Sequence, residues 1–362
     1  MKAFIYLTVF LFFHKQGIAS VKDSITVSKT QPDSITHKVD SFMLQASLLS
    51  PKKPTEAVKN YRKALVTNTI KDDLWEANVR MAMGKLLTRI KSKEAFAQLS
   101  TADALYKKQG DLYGRAEVTQ TLAAYYEKTG VFTEAKKRYD ELIKIWNTAG
   151  EFVSAGNTAF HLTNYYFKRR NYQEAFKYAD IAKNAYDKVC KRDSLGSVYL
   201  RIAEIKRNEN KPKLAEFYAT SKALGFFSSA DNLNGRLRTF DFLGGLHLQQ
   251  KRLSQAKWFY IQANTQARTL ADTAATISSL LNLSVVKILK GDFELARQDL
   301  QEASDLSKAG NFAQLLKAHK AKYPSVYKKI NTPAASTATT AAKLPEAERP
   351  KTAVLAETRL HR

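Results

Sequence analysis

The sequence predicts an all-α protein built as a solenoid of repeated helical hairpins. Glycine and proline, which destabilise helix interiors most, account for only 14 and 8 of the 362 residues. No stretch alternates apolar and polar residues between turn dipeptides, as β-strands do. An alanine also recurs at a spacing close to 40 residues in seven successive segments. A fixed period of this length is typical of repeat proteins, in which each unit is one small helical motif.

The repeat is marked by alanines that we call the key alanines. They are Ala57, Ala95, Ala135, Ala175, Ala215, Ala256 and Ala296, at successive spacings of 38, 40, 40, 40, 41 and 40 residues. In several repeats a bulky residue follows four positions later and a small one seven positions later, as in Ala256, Tyr260 and Ala263. These spacings place the three side chains on one stripe of a helix. A second stripe has a bulky residue thirteen positions before the key alanine: Leu44, Leu122, Leu162, Ile202, Leu243 and Leu283.

This pattern resembles the tetratricopeptide repeat (TPR), in an extended form of about 40 residues that covers about residues 34–310. The resemblance implies a right-handed α-solenoid of about seven helical hairpins, since a single hairpin cannot bury its apolar stripe without neighbours. An amphipathic stretch from Phe312 to about Tyr323, ended near Pro324, is predicted to cap the array, so that the solenoid with its cap spans residues 34–330. The aromatic residue that the family has near the end of the first helix is replaced by Lys206, His247 and Lys287 in later repeats.

Turn residues separate the two helices of each predicted hairpin. Gly130, Asn171, Asn210 and Gly291 lie four or five residues before a key alanine, where glycine or asparagine admits a positive φ or a reversal of the chain. The run Lys168-Arg169-Arg170 then ends a first helix, where the helix dipole favours cations. The linker Asp231–Gly235 falls between repeats and is predicted to absorb the extra residue of the 41-residue step.

Both ends of the chain are predicted to be accessory segments. The apolar run from Ala3 to Phe13 after Lys2, followed by small residues at Gly17 and Ala19, is typical of a cleaved secretory signal over residues 1–20. Eleven apolar residues are too few for a membrane anchor, which is the alternative interpretation, and no other segment is long enough. Residues 21–33 are predicted to be a flexible lead, and the Ala/Thr/Pro-rich residues 331–362 a disordered tail.

The signal, together with a single cysteine, predicts export to the periplasm or secretion, in a bacterial envelope. Cys190 has no partner for an intramolecular disulfide, whereas small eukaryotic secreted domains normally need several. We interpret Cys190 as a small packing residue, His161 as a partly buried packed residue beside Leu162, and Asp72-Asp73 as a helix N-terminus.

Motifs for catalysis are missing from the sequence. The six histidines are scattered, and none forms the H-E-x-x-H pattern of zinc peptidases. There is no nucleophile elbow and no phosphate-binding glycine loop. The sequence therefore predicts a protein that is not an enzyme, with no cofactor and no metal.

The resemblance places a binding surface on the first helices of the hairpins, in a concave groove. Carrying the family's groove positions onto this chain selects residues eighteen, fifteen, eleven and eight before the key alanines. The predicted site residues are Arg80, Gln120, Glu127, Asn157, Phe160, Asn164, Phe167, Glu204, Arg207, Arg238 and Asp241. Amides can bond a peptide backbone and aromatic rings can pocket its side chains, so the set suits a peptide or protein segment. The family's clamp for a terminal carboxylate is not supported, because Phe160 stands where its first lysine is expected.

The net charge of +24 predicts attraction to an acidic protein or peptide, or to an anionic envelope component. Nucleic acid is disfavoured by the predicted export and by the lack of a motif. The sequence does not choose between a monomer and a dimer. The function that it favours is a non-catalytic, exported TPR scaffold or adaptor that holds a peptide or protein segment in its groove. The alternative is a ligand-sensing component of an envelope signalling system, without its own kinase.

Overall fold

The key alanines lie where the helices of the hairpins pack against each other. All seven are at most 1% exposed, and their methyl side chains let two helices approach closely. The computed structural model describes residues 34–331, and within this range the chain forms helices and turns but no strand. The signal at 1–20, the lead at 21–33 and the tail after Asn331 lie outside the described residues. The prediction of an all-α solenoid of helical hairpins is confirmed.

Seven helix pairs follow one another along the chain, and the hairpins are numbered by their place among them. The first, third, fourth, fifth, sixth and seventh pairs pack as hairpins: α1 (Ser34–Leu49) with α2 (Pro54–Thr67), α5 (Leu112–Thr129) with α6 (Phe132–Thr148), α7 (Phe152–Lys168) with α8 (Tyr172–Asp187), α9 (Arg192–Asn208) with the broken helix α10 (Pro212–Phe217) and α11 (Leu224–Ser229), α12 (Leu233–Gln249) with α13 (Leu253–Thr269), and α14 (Thr273–Lys290) with α15 (Phe293–Gly310). The second pair in chain order is α3 (Asp73–Arg89) and α4 (Glu94–Lys108). Two further helices, α16 (Ala313–Lys322) and α17 (Pro324–Asn331), complete the described chain. None of the helices in the described range is long and apolar enough to cross a membrane.

The chain divides into two compact units, one ending at Gln98 and the other starting at Leu99, with the division inside α4. The core of the first unit contains Ala57, Tyr61, Met83 and Leu87. The core of the second unit is built from the predicted stripes: the residues thirteen before its key alanines are all buried. These are Leu122, Leu162, Ile202, Leu243 and Leu283.

The prediction for Leu44 is wrong, because this side chain is 61% exposed while Ala46 is fully buried. The reason is a longer turn. Residues 50–53 connect α1 to α2, whereas only residues 130–131 connect α5 to α6. The longer turn displaces the first helix of the first hairpin relative to its key alanine, so that a different residue faces the core.

The predicted glycine and asparagine residues all lie in the turns, and three of the four have a positive φ. Gly130, Asn210 and Gly291 have φ of 82°, 59° and 87°. Asn171 instead has φ of −85°, and its side chain accepts a hydrogen bond from the backbone N–H of Glu174, so it caps α8. The left-handed residue of this turn is Arg170, with φ of 60°.

Two other interpretations of loop residues have clear outcomes. Asp72 begins α3 as predicted, since its carboxylate accepts from the N–H groups of Leu74 and Trp75. Cys190 is not a packing residue: it is exposed and lies in the turn after α8 with φ of 49°. A side chain at such a left-handed turn position points away from the helix contacts that make up the core.

The extra residue of the 41-residue step is absorbed inside a helix, and the prediction that the linker Asp231–Gly235 absorbs it is wrong. Tyr186 lies eleven residues after Ala175 and packs on Gly156, whereas Phe227 lies twelve after Ala215 and packs on the equivalent Gly196. Between α10 and α11 the chain forms a π-helical turn (Tyr218–Ala223), in which the Leu224 N–H bonds the Ala219 carbonyl five residues back. A π-turn accommodates one additional residue within a helix.

The C-terminal cap consists of two helices, of which only the first was predicted. Pro324 ends α16 as expected, but it also begins α17, because proline suits the first position of a helix. On α17, Val326, Tyr327 and Ile330 are buried against Val285 and Ile288 of α14. The cap therefore covers residues eleven and eight positions before the last key alanine, which are groove positions of the family.

Candidate functional site

The predicted site residues all lie on first helices of the hairpins. Arg80 belongs to the first unit, where its guanidinium contacts Glu76 (Nε–Oε1 2.6 Å) and Gln98 (Nη1–Oε1 2.8 Å). The others lie in the second unit, on α5, α7, α9 and α12, and we call the surface formed by these helices the first-helix face. Their positions are Gln120 and Glu127 on α5, Asn157, Phe160, Asn164 and Phe167 on α7, Glu204 and Arg207 on α9, and Arg238 and Asp241 on α12.

Side chains on this face are paired between neighbouring repeats by a regular rule. The residue eight before one key alanine meets the residue fourteen before the next. Glu127 Oε2 lies 3.0 Å from His161 Nε2, the Arg201 guanidinium carbon lies 4.5 Å from the Phe167 ring centre, and that of Arg207 lies 4.9 Å from the Phe242 ring centre. Guanidinium groups over aromatic faces are held by cation–π attraction. We call these three pairs the inter-repeat ladder.

The ladder contains three residues of the first-helix face that the sequence analysis did not select. His161, Arg201 and Phe242 all lie fourteen before a key alanine, one position from the chosen groove positions. His161 is moreover exposed and bonded to Glu127, so its interpretation as a partly buried packing residue is wrong. The sequence shows that these residues share one offset from the key alanines. The offset alone does not predict a contact, because the facing residues of the previous first helix must also be known.

Glu127 and Asn157 are both held by tyrosines of the second helices. The Tyr139 hydroxyl donates to Glu127 Oε2 at 2.7 Å, and burial, aided by Glu127, raises the pKa of Tyr139. The Tyr186 hydroxyl donates to Asn157 Oδ1 at 2.7 Å. These bonds fix the two predicted residues in place and occupy acceptor oxygens that a ligand would otherwise use.

Arg201 is the most constrained cation of the face. Its Nη1 donates to the Glu204 carboxylate, while the Phe167 ring lies against the guanidinium plane. Burial lowers the pKa of Arg201; Glu204 opposes the shift and the charge of Arg238 adds to it. The Nε atom is buried and has no acceptor among the described residues.

Asn164 is another residue of this face with a polar atom that is left unsatisfied. It lies on α7 with Phe160 four residues before it and Phe167 three after it, on one stripe of the helix. The Asn164 Oδ1 atom is buried, and nothing in residues 34–331 donates to it. Phe160 is half-buried and packs on the core of the second unit. An unmade bond of this kind costs about 1–3 kcal/mol, which a ligand bearing a donor could recover.

At the end of the face, a chain of hydrogen bonds links Asp241 to the cap. Asn282 Nδ2 donates to Asp241 Oδ1 at 3.0 Å, and Asn282 Oδ1 lies 3.0 Å from His319 Nε2. His319 Nδ1 in turn lies 2.8 Å from the Tyr327 hydroxyl. Burial raises the pKa of Asp241, and Lys322, Asn282 and Arg207 counteract the shift. Asp241 is thus bound to the protein's own side chains.

The face therefore presents two kinds of residue. Most predicted residues are already engaged by side chains of neighbouring helices, whereas Asn164 and Arg201 keep unused bonding capacity, and Gln120 and Arg238 are exposed. Within the described range, no group of three His, Cys, Asp or Glu side chains could hold a metal ion. The chemistry available is hydrogen bonding, charge pairing and contact with phenylalanine rings.

Neither a scan against protein-family models nor a search of curated proteins finds a match to this chain. Solved structures do resemble it. The TPR-sensor signal-transduction ATPase (STAND) protein PH0952 from Pyrococcus horikoshii aligns with a TM-score of 0.56 and 16% identity, over 80% of this chain and 44% of that one. The alignment thus spans less than half of the ATPase.

Two other structures align over more of their own length. Aspartyl phosphate phosphatase F from Bacillus subtilis has a TM-score of 0.48 and 10% identity, over 90% of this chain and 100% of that one. A Rap protein complexed with competence and sporulation factor has a TM-score of 0.47 and 11% identity, over 83% and 86%. At these identities the similarity concerns the fold alone, and the chain has the TPR-like helical-repeat fold.

Proposed function

We propose that this protein is a non-catalytic, exported scaffold or adaptor that binds a peptide or protein segment on its first-helix face. The observation that carries the proposal is the unsatisfied Asn164 Oδ1, which lies between Phe160 and Phe167 on the stripe of α7. A buried amide oxygen without a donor suits the N–H group of an extended peptide backbone. The flanking rings offer contact area for side chains of that segment.

The proposal includes export of the protein and an acidic partner. The N-terminal apolar run and its small-residue cleavage pattern support export. The net charge of +24 supports an acidic partner, because a strongly basic protein attracts acidic surfaces at long range.

The test is crosslinking of the protein in intact cells of its own host, followed by mass spectrometry of the captured partners. We expect the recovered chain to start close to Ser20, and one partner to dominate. The double variant Asn164→Ala with Phe160→Ala should lower capture at least about tenfold, because a few central residues dominate most binding surfaces.

The matched control removes the same residue types from second helices. Asn184→Ala with Phe217→Ala changes two exposed side chains on α8 and α10 and should leave capture and helicity unchanged. Equal capture by both double variants would reject the first-helix face as the binding surface. Recovery of the chain at full length from the cytoplasm would reject export. A short peptide as the dominant partner would favour the sensing alternative over a scaffold.

A further inference from the structure

Arg201 has more hydrogen-bond donors than its neighbours satisfy. A guanidinium has five N–H donors, and the structure gives that of Arg201 one carboxylate partner, Glu204, at Nη1. The Phe167 ring covers one face of the guanidinium. It offers no hydrogen-bond acceptor to the N–H groups, which lie in the guanidinium plane. The Nε donor has no acceptor in the described chain. The Nε atom itself is buried, but the side chain keeps 22% of its surface exposed, so a second acceptor would reach the guanidinium through its Nη atoms.

Arg238 adds a second cation to the same place. It lies on α12, the first helix of the next hairpin, which packs against α9, and its charge adds to the lowering of the pKa of Arg201. Arg238 is exposed, and it has no ion pair or hydrogen bond with any described residue. Two guanidinium groups repel each other, and this repulsion is relieved when an anion binds between them.

The acidic side chains nearby do not cancel this charge. Glu204 is committed to Arg201, and Asp241 to Asn282. Arg207, the third arginine of this part of the face, stacks on Phe242 and lies near Asp241. This part of the face thus carries three arginines and two carboxylates, and the arginine without a partner is the exposed Arg238.

We propose that the segment bound on the first-helix face is acidic, and that one of its carboxylates is held between Arg201 and Arg238 while its backbone donates to Asn164. This inference rests on the proposed function and names the chemistry of its ligand. Asn164 and Phe167 lie on one stripe of α7, and Phe167 touches Arg201. The amide and the arginines are therefore placed to contact neighbouring residues of one peptide.

A peptide fits this site better than a nucleic acid does. Single-stranded nucleic acids need aromatic faces on which bases can stack, but the Phe167 and Phe242 rings each have a guanidinium against them. A polyanion would also need a row of phosphate contacts. Along this stretch Glu204 and Asp241 alternate with the arginines, so the pattern matches a single carboxylate rather than a continuous negative charge.

The test is a selection from a random library of displayed twelve-residue peptides, with the full chain as bait at 150 mM NaCl. We expect the enriched peptides to share a Glu or Asp at a fixed position. Synthetic versions with that acid replaced by its amide should bind at least about tenfold more weakly by fluorescence anisotropy, because a charge-assisted bond is lost. Arg238→Gln and Arg201→Gln should weaken the acidic peptide by a similar factor and leave the affinity of the amide version unchanged.

Controls separate this inference from folding defects, from diffuse attraction and from the proposed function. Arg238→Gln changes an exposed side chain, so it tests the site even if Arg201→Gln unfolds the protein. Arg268→Gln removes one exposed cation from α13, where Arg268 pairs with Glu302, and should have no effect. An equal loss with Arg268→Gln would overturn the inference in favour of diffuse attraction. Peptides that lack the acid but still require Asn164 would overturn it and leave the proposed function standing, whereas enrichment that ignores Asn164 would overturn both.

Discussion

His319 of the cap is linked through Asn282 to Asp241, a residue predicted for the binding surface. His319 Nε2 faces the Asn282 amide oxygen, which only accepts hydrogen bonds, and Nδ1 faces the Tyr327 hydroxyl, which can donate to a neutral ring. Burial and the charge of Lys322 lower the pKa of His319 to about 4. Since the ring in the unfolded chain has a pKa near 6.5, unfolding takes up a proton at intermediate pH. The contribution of His319 to stability is therefore complete above pH 6.5 and is lost as the pH falls toward 4.

This predicts that His319→Gln flattens the pH dependence of stability between pH 7 and pH 4.5. Over this range the free energy of unfolding of the wild type should fall by at most about 3 kcal/mol more than that of the variant. The difference should be smaller than this limit, because solvent screens the charge on the partly exposed ring. Urea unfolding at both pH values measures the difference. The raised pKa of Asp241 acts in the opposite direction, but it is present in both proteins. His37→Gln, at an exposed histidine of α1, should behave as the wild type; equal slopes for wild type and His319→Gln would contradict the assignment.

Single residues also show how far sequence reasoning reaches at the site. The family spacing placed Phe167 and Arg207 on the surface that the first helices share, because side-chain positions relative to a buried alanine follow from helix geometry. It missed Arg201, which touches Phe167, because that contact depends on how two neighbouring helices are rotated against each other. The family spacing also treated Glu127 and Asp241 as available to a ligand. It could not show their hydrogen-bond partners, because these come from other helices, α6, α7 and α14.

The broken helix of the fifth hairpin keeps the repeat in step although it contains one residue too many. Phe227 packs on Gly196 of its own repeat and on Gly235 of the next, where a β-carbon would clash with its ring. Both contacts require Phe227 at a fixed position along the helix axis. The π-helical turn at Tyr218–Ala223 restores that position after the insertion. The spacing of the key alanines revealed the extra residue but not its location. An extra residue lengthens the spacing by one whether it lies in a loop or in a π-turn.

Deleting Ser221 tests this account. The residue is exposed within the π-helical turn, and its removal gives Ala215 and Phe227 the eleven-residue spacing that Ala175 and Tyr186 have in the fourth hairpin. We expect an uninterrupted α-helix and a free energy of unfolding within about 1 kcal/mol of the wild type, because the packed residues keep their places.

Deletion of Asn184 is the matched control for this experiment, since it removes an exposed residue from the regular helix α8. It would rotate Tyr186 away from Gly156 and should cost about 3–5 kcal/mol, as for the loss of a buried aromatic side chain. Thermal unfolding followed by circular dichroism compares the two. If both deletions are equally damaging, the π-turn does not accommodate the insertion.

The whole array ends in a cap that differs from a simple terminal helix. The last hairpin exposes an apolar surface that a following repeat would cover in a longer array, and α17 supplies that cover through Val326, Tyr327 and Ile330. The amphipathic pattern before Pro324 predicted the first cap helix. The second is too short, at eight residues, for a helical period to be recognised without its partners.

Removing packing from the cap should weaken the second unit. Val326 is 8% exposed, and Val326→Ala should lower the free energy of unfolding by about 2 kcal/mol through lost burial and a residual cavity. Val189→Ala makes the same chemical change at a residue that is 41% exposed, and should cost less than about 0.5 kcal/mol. Urea unfolding of the two variants gives the comparison, and equal midpoints would show that α17 does not stabilise the array.

Because α16 and α17 cover the groove positions of α14, the first-helix face has a closed end. The open part of the face in the second unit extends over α5, α7, α9 and α12, which are four neighbouring first helices. Packed helices lie about 8–10 Å apart, so three such steps span roughly 27 Å. An extended chain advances about 3.3 Å per residue, and a segment lying across this distance has a footprint of about eight residues. In the proposed complex, the cap therefore limits the bound segment to about this length.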